Sequence, residues 1–198
     1  LLVIEGTDAT GTTTHACGLA TTLTIRGHRA RFWSHQRPAS RDPWVCALDY
    51  AEQRAHLLAD NASEGDLVLC VDRWWHTAHV EGLCEPEGHE RSRLASLARA
   101  ESLHSISPAL LVVLDAADAV LDARMAARRP PEVPDARDAQ RRSLYRDAIK
   151  HRGTWWLPST YQAVEAPAFL AVDTGVLTIS ETRARIVEAA LRVLGGVR

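Results

Sequence analysis

The chain has 198 residues, of which 46% are hydrophobic and 24% charged, and a formal net charge of −2. That length suffices for one compact domain with a substantial core, and the near-neutral balance excludes a general polyanion-binding surface, so no nucleic-acid partner is expected. No apolar run approaches the ~20 residues needed to span a bilayer, and the opening LLVIEG lacks the basic stretch and cleavage site of a signal peptide, so neither membrane association nor export is expected.

In chain order, residues 1–5 form a short apolar run of strand type that ends at Gly6, and a Gly/Thr-rich loop follows from Gly6 to Thr13. Residues 13–26 read as a helix with Ala16, Leu19, Ala20 and Leu23 on one side, stopped by Gly27. Residues 30–34 read as a second strand and 36–43, with two prolines, as a loop. Residues 45–62 read as a helix whose apolar face is Val45, Leu48, Ala51, Ala55, Leu58 and Ala59. A Gly65-Asp66 turn leads into residues 67–71, an apolar run typical of a buried parallel strand. Residues 85–89 read as a polar loop, 90–105 as a helix, 110–114 as another buried strand, and 118–129 as a helix closed by Pro130-Pro131. The Pro- and charge-rich segment 129–138 reads as a mobile loop, 138–151 as a basic helix, 169–172 as a last strand and 179–194 as a last helix. The segment 152–168 fits no periodicity. The alternation of strand and helix predicts an α/β fold, a parallel sheet with helices on both faces. Ligands of such sheets bind beyond the carboxyl ends of the strands. Residues 5–13, 34–37, 72–73 and Asp115 follow strands directly and therefore meet at one edge.

The cysteines Cys17, Cys46, Cys70 and Cys84 form no CxxC pair and fit no zinc spacing, so they read as reduced thiols of a cytoplasmic protein. His76 and His79 sit three apart, but with no third ligand nearby they read as ordinary surface or cleft side chains.

The segment Gly6-Thr7-Asp8-Ala9-Thr10-Gly11-Thr12-Thr13 matches the phosphate-binding pattern GxxxxGK[ST] in everything but the lysine. Glycines at both ends let the backbone curl with its N–H groups inward, and the following helix adds its positive end. Thr13 stands where the loop hydroxyl binds Mg²⁺. Thr12 replaces the lysine that reaches the β- and γ-phosphates. Losing such a donor costs on the order of 3 kcal/mol in the transition state. Three explanations stay open: an arginine from elsewhere (Arg124, Arg128 or Arg129), nucleotide binding with little turnover, or an unusual donor.

At these residues the chain resembles the thymidylate kinase family of P-loop nucleoside monophosphate kinases. Leu2-Val-Ile-Glu-Gly-Thr-Asp8 is similar to that family's opening strand and loop. Tyr50-Ala-Glu-Gln-Arg54 resembles its helical F-A-x-x-R segment, and Asp72-Arg73-Trp74 its D-R-Y. Residues 108–128 are similar to its strand, helix and lid arginine. The resemblance implies a three-layer P-loop fold with a five-stranded parallel sheet, one domain over residues 1–198 and a lid at about 124–142. It also implies ATP and Mg²⁺ as cofactors, a nucleoside monophosphate as acceptor, and a homodimer. Under it, Gly6, Thr7, Ala9, Thr10, Gly11, Thr12, Thr13, Thr14 and Arg124 hold the donor, and Thr13 and Asp72 the metal. Arg37, Tyr50, Arg54, Trp74 and Thr77 hold the acceptor, with Arg41 an alternative to Arg37. Asp8, Asp72, Arg73 and Arg128 carry catalysis. The expected reaction is ATP-dependent phosphorylation of dTMP or a close analogue.

Three departures bear on that expectation. Lysine is absent at position 12. The family's A-Y-Q after D-R-Y is replaced by His79-Val-Glu81-Gly, which weakens selection for thymine or deoxyribose. The region around Trp155-Trp156 looks like an insertion. The tandem tryptophans, 74–75 and 155–156, read as core or interface residues, with a site for a larger acceptor as the alternative. A kinase for a modified nucleotide or other small metabolite, and a degenerate nucleotide-binding module, are the competing readings.

Overall fold

The computed structural model describes residues 1–36, 38–40, 42–86, 88–104, 107–128, 130–152 and 168–196. Five strands, β1 (Leu2–Gly6), β2 (Ala30–Ser34), β3 (Val68–Asp72), β4 (Leu110–Asp115) and β5 (Ala168–Asp173), form one sheet in the order β2-β3-β1-β4-β5, with every pairing parallel. The helices are α1 (Thr12–Ile25), α2 (Pro43–Asn61), α3 (Trp75–Cys84), α4 (His89–His104), α5 (Asp118–Ala126), α6 (Asp138–Lys150) and α7 (Ile179–Gly196).

Strand alternation divides the core in two. Leu2, Ile4, Cys70, Leu110 and Val112 face a layer from α1 and α7, where Ala16, Leu19, Leu23, Ile186 and Ala190 are buried. Val3, Leu69, Val71, Leu111 and Val113 face the opposite layer, built from Leu57 of α2, Trp75 and Val80 of α3, and Tyr145 and Ala148 of α6. Both sheet faces are therefore covered, as a parallel sheet requires. Among the described residues no helix is long and apolar enough to cross a membrane, and no cluster of three metal-ligating side chains forms.

The structure corrects the sequence reading at three elements. Helix α2 buries Ala47, Arg54 and Leu57, while Val45 and Leu48 are exposed, as are Ala55 and Ala59, so the expected apolar stripe is rotated away from the core. The 118–129 helix ends at Ala126, because Pro130-Pro131 forces the chain out of helical geometry a few residues upstream. Helix α3 was not foreseen. Its N-cap is Trp74, whose side chain makes no capping bond. Residues 153–167, including Trp155 and Trp156, lie outside the described residues.

Candidate active site

Beyond the carboxyl ends of β1, β3 and β4 the chain folds the loop 6–11 into a cradle. A Cβ on Gly6 would stand 2.5 Å from Thr10 Oγ1 and 2.7 Å from the Leu114 carbonyl oxygen, so only glycine fits. Ala9 and Gly11 both adopt left-handed backbone, at φ 64° and 91°. The Thr10 hydroxyl closes the loop on the Thr7 carbonyl at 2.7 Å. Gly11 is the N-cap of α1, and no side chain caps it, which leaves the first-turn N–H groups to serve an anion in the cradle. Thr12 is 5% exposed and its methyl packs toward Gly6. Position 12 therefore contributes packing beneath the loop and no charge above it.

Asp72 ends β3 beside the loop. Its Oδ2 accepts hydrogen bonds from the Thr13 hydroxyl and, at 3.1 Å, from Ser34 Oγ. Its Oδ1 is buried with no hydrogen-bond partner among the described residues. A buried carboxylate oxygen without a donor is costly. With the Thr13 hydroxyl it forms the hard-oxygen pair that Mg²⁺ takes from a protein, so the residues present fit that ion.

Arg73 follows in left-handed backbone at φ 66° and donates from Nη2 to Asp8 Oδ1 at 2.6 Å. Burial works to raise the Asp8 carboxyl, but Arg73 beside it, with Arg128 and Arg141 further off, holds it below the usual carboxylate range. Arg124 reaches from α5 across the loop, donating to the Ala9 carbonyl at 3.2 Å and to the Thr174 hydroxyl and carbonyl at 2.9 and 2.6 Å. Thr174 is itself fixed by Asp115, whose carbonyl accepts its N–H at 2.8 Å. Asp115 uses its carboxylate to pair with Arg146 at 3.0 Å, a structural task. Arg128, two residues past the end of α5, is exposed and paired with Glu132.

Tyr50 and Arg54 share a face of α2, as their spacing predicts, and both meet His35, which the sequence reading did not single out. Arg54 is 3% exposed and donates from Nη1 to His35 Nε2 at 2.8 Å. A guanidinium can only donate, so His35 is neutral, with its proton on Nδ1. Burial, then the charge of Arg54, pushes the His35 pKa down to about 3. The His35 ring stands edge-on to Trp33 and Tyr50, with centroids 4.5 and 4.9 Å apart.

Two residues expected at the acceptor turn inward. The Trp74 indole is fully buried against the α2/α3/α6 layer. The Thr77 hydroxyl points inward to Glu5 Oε2 at 2.7 Å. Arg37, Arg41 and Arg129 lie outside the described residues. The sequence reading placed Glu5 at the start of the segment 5–13 but gave it no role; it is the one charged residue in the apolar run of β1 and is 0% exposed. Its signal was a carboxylate on the inward side of a central strand.

No family model and no curated protein matches the chain by sequence. Among solved structures the chain is similar to a thymidylate kinase from Candida albicans, with a TM-score of 0.62 and 15% identity over 96% of this chain and 90% of that one. That structure is described as revealing the origin of broad substrate specificity and a novel structural element. At such identity the likeness shows the fold, and the fold is like that of a thymidylate kinase: a five-stranded parallel sheet with helices on both faces and a glycine-containing loop after its central strand.

Proposed function

We propose that the chain is a nucleoside monophosphate kinase that transfers the γ-phosphoryl group of ATP to dTMP or a closely related nucleotide. One observation carries the reading. Arg73, at the end of β3, is held beside Asp8 of the phosphate loop, so a cation from the neighbouring strand stands where a second phosphate would approach the first. The loop N–H groups and the α1 N-terminus hold the donor phosphates. Arg124, tied to Ala9 and Thr174, fixes the donor end of the loop. Arg73 holds the acceptor phosphate, and Tyr50, Arg54 and His35 form the wall offered to the base. Thr13 and Asp72 would hold Mg²⁺, which supplies charge neutralisation on the donor phosphates. An acceptor phosphate oxygen is already a nucleophile, so the protein's task is positioning and charge stabilisation. With no lysine at position 12, that charge falls to Arg73 and to Arg128, which must leave Glu132 to act.

A second reading, a nucleotide-binding module with little turnover, is favoured by the packing of Thr12 under the loop. The lost A-Y-Q pattern favours a kinase for another acceptor. Glu81 of that segment accepts from Arg141 of α6 at 2.8 Å, which supports a role in holding α3 to α6 and not in reading a base. An assay of ADP release with ATP, Mg²⁺ and a panel of nucleoside monophosphates, run beside calorimetry, tests all three. Turnover selective for dTMP is expected. Binding without turnover across the panel would select the module, and turnover with a different acceptor the third reading.

A further inference from the structure

Glu5 is the anomaly of β1. Leu2, Val3 and Ile4 before it are apolar and buried. Here the chain instead buries a carboxylate completely and surrounds it with donors. Oε1 accepts the backbone N–H of Trp74 at 2.7 Å and has His76 Nδ1 at 3.5 Å. Oε2 accepts the hydroxyls of Thr77 at 2.7 Å and Tyr145 at 3.0 Å. A buried carboxylate is tolerated only when so many bonds are made. Burial works to raise this carboxyl, and the His76, Thr77 and Trp74 contacts outweigh it and leave the group below its ordinary range.

The partner that gives this expense a purpose is Trp74. It directly follows Arg73, whose left-handed backbone is strained for a residue with a side chain. The Arg73 N–H is held by the Ile4 carbonyl at 2.9 Å, and the next N–H, that of Trp74, by the Glu5 carboxylate. Two consecutive residues of β1 thus grip the two peptide N–H groups that flank the strained position. From there Arg73 Nη2 reaches Asp8, three residues beyond Glu5.

We infer that Glu5 is the positioning residue of the acceptor side. Its carboxylate locks the Arg73 turn in left-handed backbone, so that the guanidinium faces the phosphate loop, and through Tyr145 it ties the same turn to the helix that follows the lid. The claim about the acceptor rests on the kinase reading; the claim about the turn does not. Glu5 touches no reacting atom in this role. Its removal must therefore move acceptor binding and leave the donor alone, a split that general loss of packing would not produce.

The test compares wild type with Glu5→Gln and Glu5→Met in amide hydrogen exchange and steady-state kinetics. In wild type the Trp74 amide is expected to exchange as slowly as the amides of the β1 ladder. Gln at position 5 still offers an oxygen to Trp74 and an NH₂ to the Thr77 or Tyr145 oxygen. It should keep that protection, and the dTMP KM should stay within about threefold. Met offers no acceptor. It should lose the Trp74 protection selectively and raise the dTMP KM by about tenfold or more with the ATP KM unchanged. Acceptor and donor KM rising together, or a Trp74 amide that exchanges as fast as the loops in wild type, overturns the inference. If Glu5→Met does not fold, the Trp74 exchange rates of wild type and Glu5→Gln decide. If wild type turns over no nucleotide, the kinase reading fails separately, and the amide exchange still decides whether Glu5 locks the turn.

Discussion

Thr12 shows how one side chain can keep a loop's shape and withdraw its charge. It lies 5% exposed beneath the cradle, with its methyl toward Gly6. A lysine there would have to thread its stem past Gly6 before its ammonium reached solvent, which long charged side chains do readily. Thr12→Lys is therefore expected to raise kcat by about 10- to 100-fold if the chain is a kinase lacking one donor. In a binding module the same change alters only nucleotide affinity, so kcat measured beside calorimetry separates the two. Gly6 has no such latitude. A Cβ would lie 2.5 Å from a side-chain oxygen and 2.7 Å from a backbone oxygen, and the latter cannot turn aside. Gly6→Ala should cost about 1–3 kcal/mol in a denaturant midpoint and abolish nucleotide binding. The turn at Gly6 and Gly11 and the place of Thr13 in the first turn of α1 were legible in the sequence, because a strand–loop–helix pattern dictates residue types at fixed spacing, whereas the role given to Asp72 came from the family resemblance alone. Glu5 and His35 stood in segments placed at the same sheet edge, but their roles were not legible. Each acts through a bond to a residue far along the chain, Trp74 and Arg54, and no local spacing encodes such pairs.

At the scale of elements, legibility followed the source of each helix's start. Helix α1 begins on the loop glycine, and α2 on Asp42, whose carboxylate accepts from the N–H groups of Trp44 and Val45 with Pro43 at the first turn, all visible locally. Helix α3 begins at Trp74, whose N–H is held by Glu5 from another strand, so nothing near residue 75 announces it. The face of α2 was misread because its buried side includes Arg54, a charge that an apolar stripe leaves out. The segment between α5 and α6 is secured through α6. Arg141 makes two bonds to Glu81 of α3 at 2.8 and 3.0 Å and further bonds to Asp135 and Asp138, with its side chain 17% exposed. Arg142 and Arg146 bind α6 to Asp122, Asp118 and Asp115. Forked, partly buried pairs of this kind stabilise more than exposed ones. Arg141→Met should loosen the segment 130–137 by about 1–3 kcal/mol, read as faster limited proteolysis there, while the sheet's amide protection is unchanged.

Across the whole molecule, three buried or half-buried histidines make stability fall as the solution turns acid. Burial, reinforced by nearby cations, pushes His15 and His35 down to about 4 and about 3. Burial and His76 push His79 down to about 4. Unfolded, each titrates near 6.5. A depressed histidine favours the fold while both states are neutral. Its contribution is whole above about pH 6.5 and is lost as pH falls toward 4, because the unfolded chain then takes up protons that the native chain refuses. Glu5 and Asp8, also held below their ordinary range, add a loss of the same sign once pH falls beneath about 4.5. At pH 5 each histidine gives up at most about 2 kcal/mol, and less where water reaches the ring. Together they amount to a few kcal/mol, which for a chain of this size lowers Tm by about 5–15 °C between pH 7.5 and 5. Thermal denaturation across that range should show the fall. His79→Asn, which removes one such group away from the phosphate loop, should flatten it by about a third. A Tm constant from 7.5 to 5 would mean that the three rings take up protons in the native state, and His35 could then no longer accept from Arg54.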